Sequence, residues 1–127
     1  MELRTDPYPP NSELNALWQA AWDETGERDF MPVLSRSLTH VGAYDGERLT
    51  GFVNVAWDGG MHAFVLDTCV HPEFRRRGIA TALVGAAKNL ASARGAKWLH
   101  VDFETRLTEF YRGCGFVPTS AGIMRLA

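Results

Sequence analysis

Residues 66–84 read LDTCVHPEFRRRGIATALV, and the fold turns on how this stretch divides. The first five residues close a branched, apolar run that suits a strand. His71-Pro72 then breaks any ladder, because proline fixes φ and has no amide donor. From Ile79 the apolar residues recur at helical spacing. Three arginines and a glycine fill the join. A helix start leaves up to four amides without intrahelical partners and carries the positive end of the helix dipole. Arg75, Arg76 and Arg77 add mobile charge there, while Gly78 and the small Ala80 let a ligand come close to the backbone. The turn therefore suits an anion, and a phosphate-bearing cofactor is the natural guest. The plain alternative is a solvated charge run. Neither GxxxxGK[ST] nor GxGxxG is present, so the two common phosphate-loop motifs are excluded.

Working outward, THVGAY, LTGFVNVAW and MHAFVLDTCV are rich in branched and aromatic residues and are separated by DGER and DGG. Asp-Gly between such runs marks hairpins, which predicts an antiparallel meander of three strands ending at Val70. Ile79, Ala82, Leu83, Ala86, Leu90 and Ala93 predict one apolar helix face, with Gly95 closing the helix. KWLHVDF then reads as a strand with Leu99, Val101 and Phe103 on one side and His100 and Asp102 on the other. Strand, helix and strand in that order imply a crossover, so the two strands should be parallel neighbours. TEFYRGCGF reads as a short helix stopped by glycines, and GFVPTSAGIMRL as a closing pair of strands. Upstream, residues 2–5 form a short edge strand and DPYPP interrupts regular structure. A helix then starts at Ser12 as N-cap, with Leu14, Leu17, Trp18, Ala21 and Trp22 as its apolar stripe. A second, short helix covers Phe30 to Leu34. The expected class is α/β (α+β): a twisted, mostly antiparallel sheet flanked by helices.

With 127 residues, 46% of them hydrophobic, the chain suits a single cored domain over residues 1–127. A net charge of -2 and a pI near 6.1 argue against nucleic acid and anionic membrane surfaces as partners. A small nucleic-acid binder using the RRR turn would instead show strongly salt-dependent retention on polynucleotide. Cys69 and Cys114 stand far apart without CxxC spacing, which points to free thiols and no metal site. No segment approaches the roughly 18 consecutive apolar residues of a membrane span, so a cytoplasmic, soluble protein is expected.

LDTCV, HPEFRRRGIA, a helix, a strand and FYRGCGF, in that order, resemble the GCN5-related N-acetyltransferase (GNAT) family. Arg75, Arg76, Arg77, Gly78, Ile79 and Ala80 match its Q/R-x-x-G-x-G/A signature. Tyr111, Gly115 and Phe116 match its second landmark. The resemblance covers residues 39 to 118 well and the first forty poorly. It implies that acetyl-CoA is the co-substrate, with its pyrophosphate on the amides of Arg76 to Thr81. It also implies a splayed parallel strand pair that admits pantetheine against backbone near Cys69 and Val70, the Val70 amide facing the developing oxyanion.

Acetyl transfer to an amine has two proton tasks. Tyr111 matches the tyrosine that donates to the CoA sulfur in such enzymes; otherwise it is a buried aromatic beside Phe110. For the base, Glu104 stands where the family often has an asparagine, and Asp67, His100, Asp102 or water are the alternatives. A covalent route through Cys69 or Cys114 lacks a paired histidine in the spacing, so direct transfer in a ternary complex is expected. Trp18, Trp22 and Trp57 read as core residues rather than as a substrate cage. The function expected is acetylation of a primary amine on a small molecule or protein, by a monomer or homodimer. The alternative is an acyl-CoA-binding sensor without turnover.

Overall fold

The computed structural model describes residues 1–127. One five-stranded sheet runs β1 (Glu2–Thr5), β2 (Thr39–Asp45), β3 (Arg48–Trp57), β4 (His62–Val70) and β5 (Trp98–His100), with spatial order equal to chain order. The first four strands are antiparallel neighbours, and β4 and β5 are parallel. The helices are α1 (Asn11–Trp22), α2 (Met31–Leu34), α3 (Ile79–Ala93) and α4 (Thr108–Gly113). The meander, its end at Val70 and the crossover all agree with the sequence reading.

The sheet buries both faces. On one, Val41, Val53, Val55 and Val65 meet Ile79, Leu83, Ala87 and Ala91 of α3. These four helix residues are spaced by four, so a single ridge lies on the sheet. The buried stripe is thus rotated from the expected one: Ala82, Ala86 and Leu90 are half-buried and Ala93 is exposed. Gly51 lets the helix come this close. A Cβ there would stand 3.1 Å from both Ile79 Cγ2 and Leu83 Cδ1. On the other face, Leu14, Leu17 and Trp18 of α1 cover Phe52 and Cys69, while Trp22 at the helix end is 41% exposed.

Three expectations are corrected. Ser12 does not cap α1: the helix begins at Asn11, and the Pro10 carbonyl accepts from Glu13 and Leu14 at 3.0 and 3.2 Å. The Asn11 side chain is committed elsewhere, accepting from the Phe30 amide and donating to Asp29. KWLHVDF supplies only three ladder residues, because Val101 onward diverges from β4, although Leu99, Val101 and Phe103 remain half-buried and His100 and Asp102 exposed as the alternation predicts. The closing strand pair is absent. Val117–Ala127 has no ladder partner within the chain, and Pro118 removes one of the donors a ladder would need.

Away from the cleft, Asp6 joins the start of β2 to the end of α3. Its carboxylate accepts from the Thr39 hydroxyl (2.8 Å) and the His40 amide (3.0 Å) and pairs with Arg94 (2.9 Å). No helix is long and apolar enough to cross a membrane.

Candidate active site

The site forms where β4 and β5 part. Along β4 the register slips: Phe52 faces Cys69, but Asn54 faces Leu66, so Asp67 and Thr68 share the place opposite Val53. This is a β-bulge. Asp67 takes φ +58, a conformation short polar side chains tolerate. Asp67 reaches solvent yet lies in a recess crowded by protein, and that burial raises its carboxyl above the usual carboxylate range.

Beyond the bulge, the strand's alternation decides which backbone groups face the opening. The His71 amide donates to the Thr50 carbonyl across to β3 at 2.7 Å. Its neighbour Val70 therefore points the opposite way, into the gap between β4 and β5. Cys69, by the same alternation, addresses β3. Its sulfur is buried, and that burial pushes the thiol far above its ordinary pKa, which leaves it an inert core group. Of the two residues expected to meet pantetheine, the geometry directs Val70 rather than Cys69 toward the gap.

The chain then makes a 3-10 turn (Pro72–Phe74) and enters α3. The first helical bond runs from the Ala82 amide to the Gly78 carbonyl, 3.0 Å, so the amides of Arg76 to Thr81 have no partner within the chain. Gly78 sits at φ +79 with nothing within 4 Å of where a Cβ would stand. The three arginines differ in use. Arg75 donates to the Val70 carbonyl (3.3 Å) and to the Ala21 carbonyl at the end of α1 (3.2 Å). Arg77 lies over the Phe74 ring at 4.9 Å. Arg76, at φ +64, has no ion-pair partner and extends into solvent.

Tyr111 reaches the opening from α4. Its ring stacks on Phe103 at 4.8 Å and meets Phe110 and Phe116 edge-on. Burial raises the phenol's pKa, with Thr68 partly offsetting it, so the hydroxyl holds its proton at neutral pH. The Thr68 hydroxyl is shut from solvent and finds no hydrogen bond of good geometry, although it stands near enough to Tyr111 to act on the phenol. Glu104 lies on the surface and pairs with Arg106 at 2.8 Å. His100 turns to His62 (2.9 Å between ring nitrogens) and stacks on Phe64. The bulge thus brings Thr68 near Tyr111, while Asp67 feels the charges of Arg28 and Glu24, and Glu104 and His100 engage other partners.

Two features were missed from sequence. Thr68 is one; its signal is a register slip that depends on β3 and leaves no trace in β4 alone. The other is a groove of about 210 Å³ between α3 and α4, lined by Thr81, Gly85, Lys88, Asn89, Gly113 and Cys114. Its signal was legible: Thr81, Gly85 and Lys88 follow helical spacing, and they share the groove with Gly113 and Cys114.

The sequence profile of the acetyltransferase (GNAT) family matches residues 1–116. The chain belongs to the GNAT family. The match includes the first forty residues, where the motifs were uninformative. Among solved structures, a GNAT acetyltransferase from Streptococcus pneumoniae TIGR4 superposes with a TM-score of 0.81 at 25% identity, covering 99% of this chain and 97% of that one. An aminoglycoside N-acetyltransferase in complex with CoA shares the fold at 18% identity, with a TM-score of 0.77 over 99% of this chain and 93% of the other. A curated relative, the mycothiol acetyltransferase of Mycobacterium ulcerans, is 40% identical over 55 residues. That stretch is 43% of this chain and only 17% of the relative's length. The parallel β4–β5 pair and the flanking helices are therefore the GNAT fold.

Proposed function

We propose that residues 1–127 act as one catalytic domain that transfers the acetyl group of acetyl-CoA to a primary amine by direct attack in a ternary complex. The observation that carries this reading is the run of unpartnered amides from Arg76 to Thr81 at the start of α3, beside the opening of β4 from β5. Those amides and the helix dipole suit the pyrophosphate. The α3–α4 groove gives the rest of the cofactor a place to lie.

The Val70 amide faces the gap and is the donor we assign to the tetrahedral oxyanion. The attacking amine must first lose its ammonium proton. We assign that proton to Asp67, directly or through water, because it stands on the β4 bulge next to Thr68 and its raised pKa makes it the stronger base. Glu104, held on the surface by Arg106, is the second candidate. When the tetrahedral intermediate collapses, the C–S bond breaks, its electron pair leaves on sulfur, and Tyr111 supplies a proton to the thiolate. A phenol kept protonated by burial is suited to that donation.

The test is an amine panel with acetyl-CoA, read out as free CoA thiol. Thiol released in proportion to acetylated amine supports transfer. CoA binding without turnover on any amine would favour the sensor reading.

A further inference from the structure

Away from the arginine turn and the α3–α4 groove, two imidazoles meet across the parallel seam. His62 opens β4 and His100 closes β5. The register sets His62 opposite Trp98 and Phe64 opposite His100, so all four side chains stand on one face of the sheet. Ala63 and Val65 take the other face, under α3. His62 is half-buried and His100 exposed. His62 Nδ1 lies 2.9 Å from His100 Nε2, and the His100 ring stacks on Phe64 with centroids 4.7 Å apart and planes 20° apart. The outer nitrogens, His62 Nε2 and His100 Nδ1, bond to nothing else in the chain.

A neutral imidazole carries one proton, on either nitrogen. With both protons on the outer nitrogens, both inner lone pairs are free to ligate. We propose that His62 and His100 form a chelating site for a divalent transition-metal ion of the copper(II) or nickel(II) type, which clamps β4 to β5 at the last ladder pair before the strands part. The spacing selects the ion. Two nitrogens 2.9 Å apart, each about 2.05 Å from a shared ion, subtend about 90° there, the cis angle of a square-planar or octahedral ion. A tetrahedral zinc ion would hold the same nitrogens about 3.3 Å apart and fits less well. Each lone pair swings about 45° off the line joining the nitrogens, a turn that the broad χ2 of histidine allows. No third histidine, cysteine or carboxylate completes the set, so water fills the remaining positions. Asp58 supplies negative charge nearby: its carboxylate accepts from the His62 amide at 3.2 Å and feels the charge of the His62 ring. The two strands and the stack on Phe64 hold the ligands in place before any ion arrives, which favours chelation.

The test uses the full chain carrying Cys114→Ser, which removes the thiol within reach of solvent; Cys69 is buried. Calorimetry with nickel(II) at neutral pH should find one ion per chain. His62→Gln and His100→Gln should each weaken that binding about a hundredfold, because in the parent the second imidazole acts at a high effective concentration. Saturating nickel(II) should raise the Tm of the parent and leave both variants unmoved, since the ion binds the folded chain. Copper(II) should bind more tightly than nickel(II), and at one equivalent its electron paramagnetic resonance spectrum should show coupling to two imidazole nitrogens. That spectrum is read on the parent and does not depend on how a variant folds. No binding, binding untouched by either substitution, or a copper spectrum with a single coupled nitrogen would each overturn the proposal. Zinc bound more tightly than nickel would overturn the cis geometry.

Discussion

Replacing Gly78 by aspartate or by asparagine tests whether the start of α3 receives the negative charge proposed for it. Both side chains enter open space, since nothing lies within 4 Å of the Cβ position, and both meet the same backbone demand at φ +79. Asn and Asp tolerate that conformation better than other residues, so the folding cost, about 1 kcal/mol, is shared and cancels in the comparison. What remains is one negative charge beside the proposed pyrophosphate position. At about 5 Å the repulsion per phosphate charge is ~0.8 kcal/mol in water and ~3 kcal/mol at the effective dielectric of ~20 that suits protein surfaces. Gly78→Asp should therefore bind CoA about fourfold to 150-fold more weakly than Gly78→Asn. Titration calorimetry with CoA at about 0.05 M and about 1 M salt measures this, and the gap should narrow at high salt, where the Debye length falls to ~3 Å. Two variants with equal affinity at low salt, or a gap untouched by salt, would refute the argument that these amides hold an anion.

Tyr111→Phe keeps the ring stacked on Phe103 and removes only the proton donor. Turnover should fall about a hundredfold to ten-thousandfold with the CoA affinity held within about twofold, measured by thiol release and calorimetry. Asp67→Asn removes a carboxyl whose folded pKa is raised by burial. The charged form is what the fold penalises, so the variant should be the more stable protein at pH 7. That advantage should shrink as pH falls through the raised pKa and vanish below the unfolded value of about 3.9, read by urea melts across pH. In the same variant kcat/KM should lose its acidic limb. Gly51→Ala forces a methyl against Ile79 and Leu83 and should cost about 1–3 kcal/mol, seen as a Tm lower by roughly 4–12 °C in thermal melts.

The elements held by local chemistry were legible. Asp-Gly turns named both hairpins, His71-Pro72 ended β4, and the Ile79-Leu83-Ala87-Ala91 ridge lay within a helix already expected, if on a slightly different face. What escaped depends on groups distant in sequence. The bulge at Asp67 exists because two residues share the space opposite Val53, and no pattern within β4 announces it. The register slip is also what sets Thr68 near Tyr111. Glu104 stood at a suggestive position, but only its pairing with Arg106 shows that the side chain is occupied. The closing residues were expected as strands, yet a strand exists only through its ladder, and residues 117–127 make no backbone-to-backbone hydrogen bond.

Arg75 is the one side chain that grips the end of α1 and the end of β4 together, through the Ala21 and Val70 carbonyls. Its charge is shared between the wall where an acceptor would lie and the turn where pyrophosphate would sit. A guest that shifts the end of α1 therefore changes the work needed to seat CoA. By thermodynamic reciprocity CoA must alter the grip on that guest by the same factor. Loosening that guanidinium, as in Arg75→Gln, should bring the CoA affinities measured with and without a bound amine closer together.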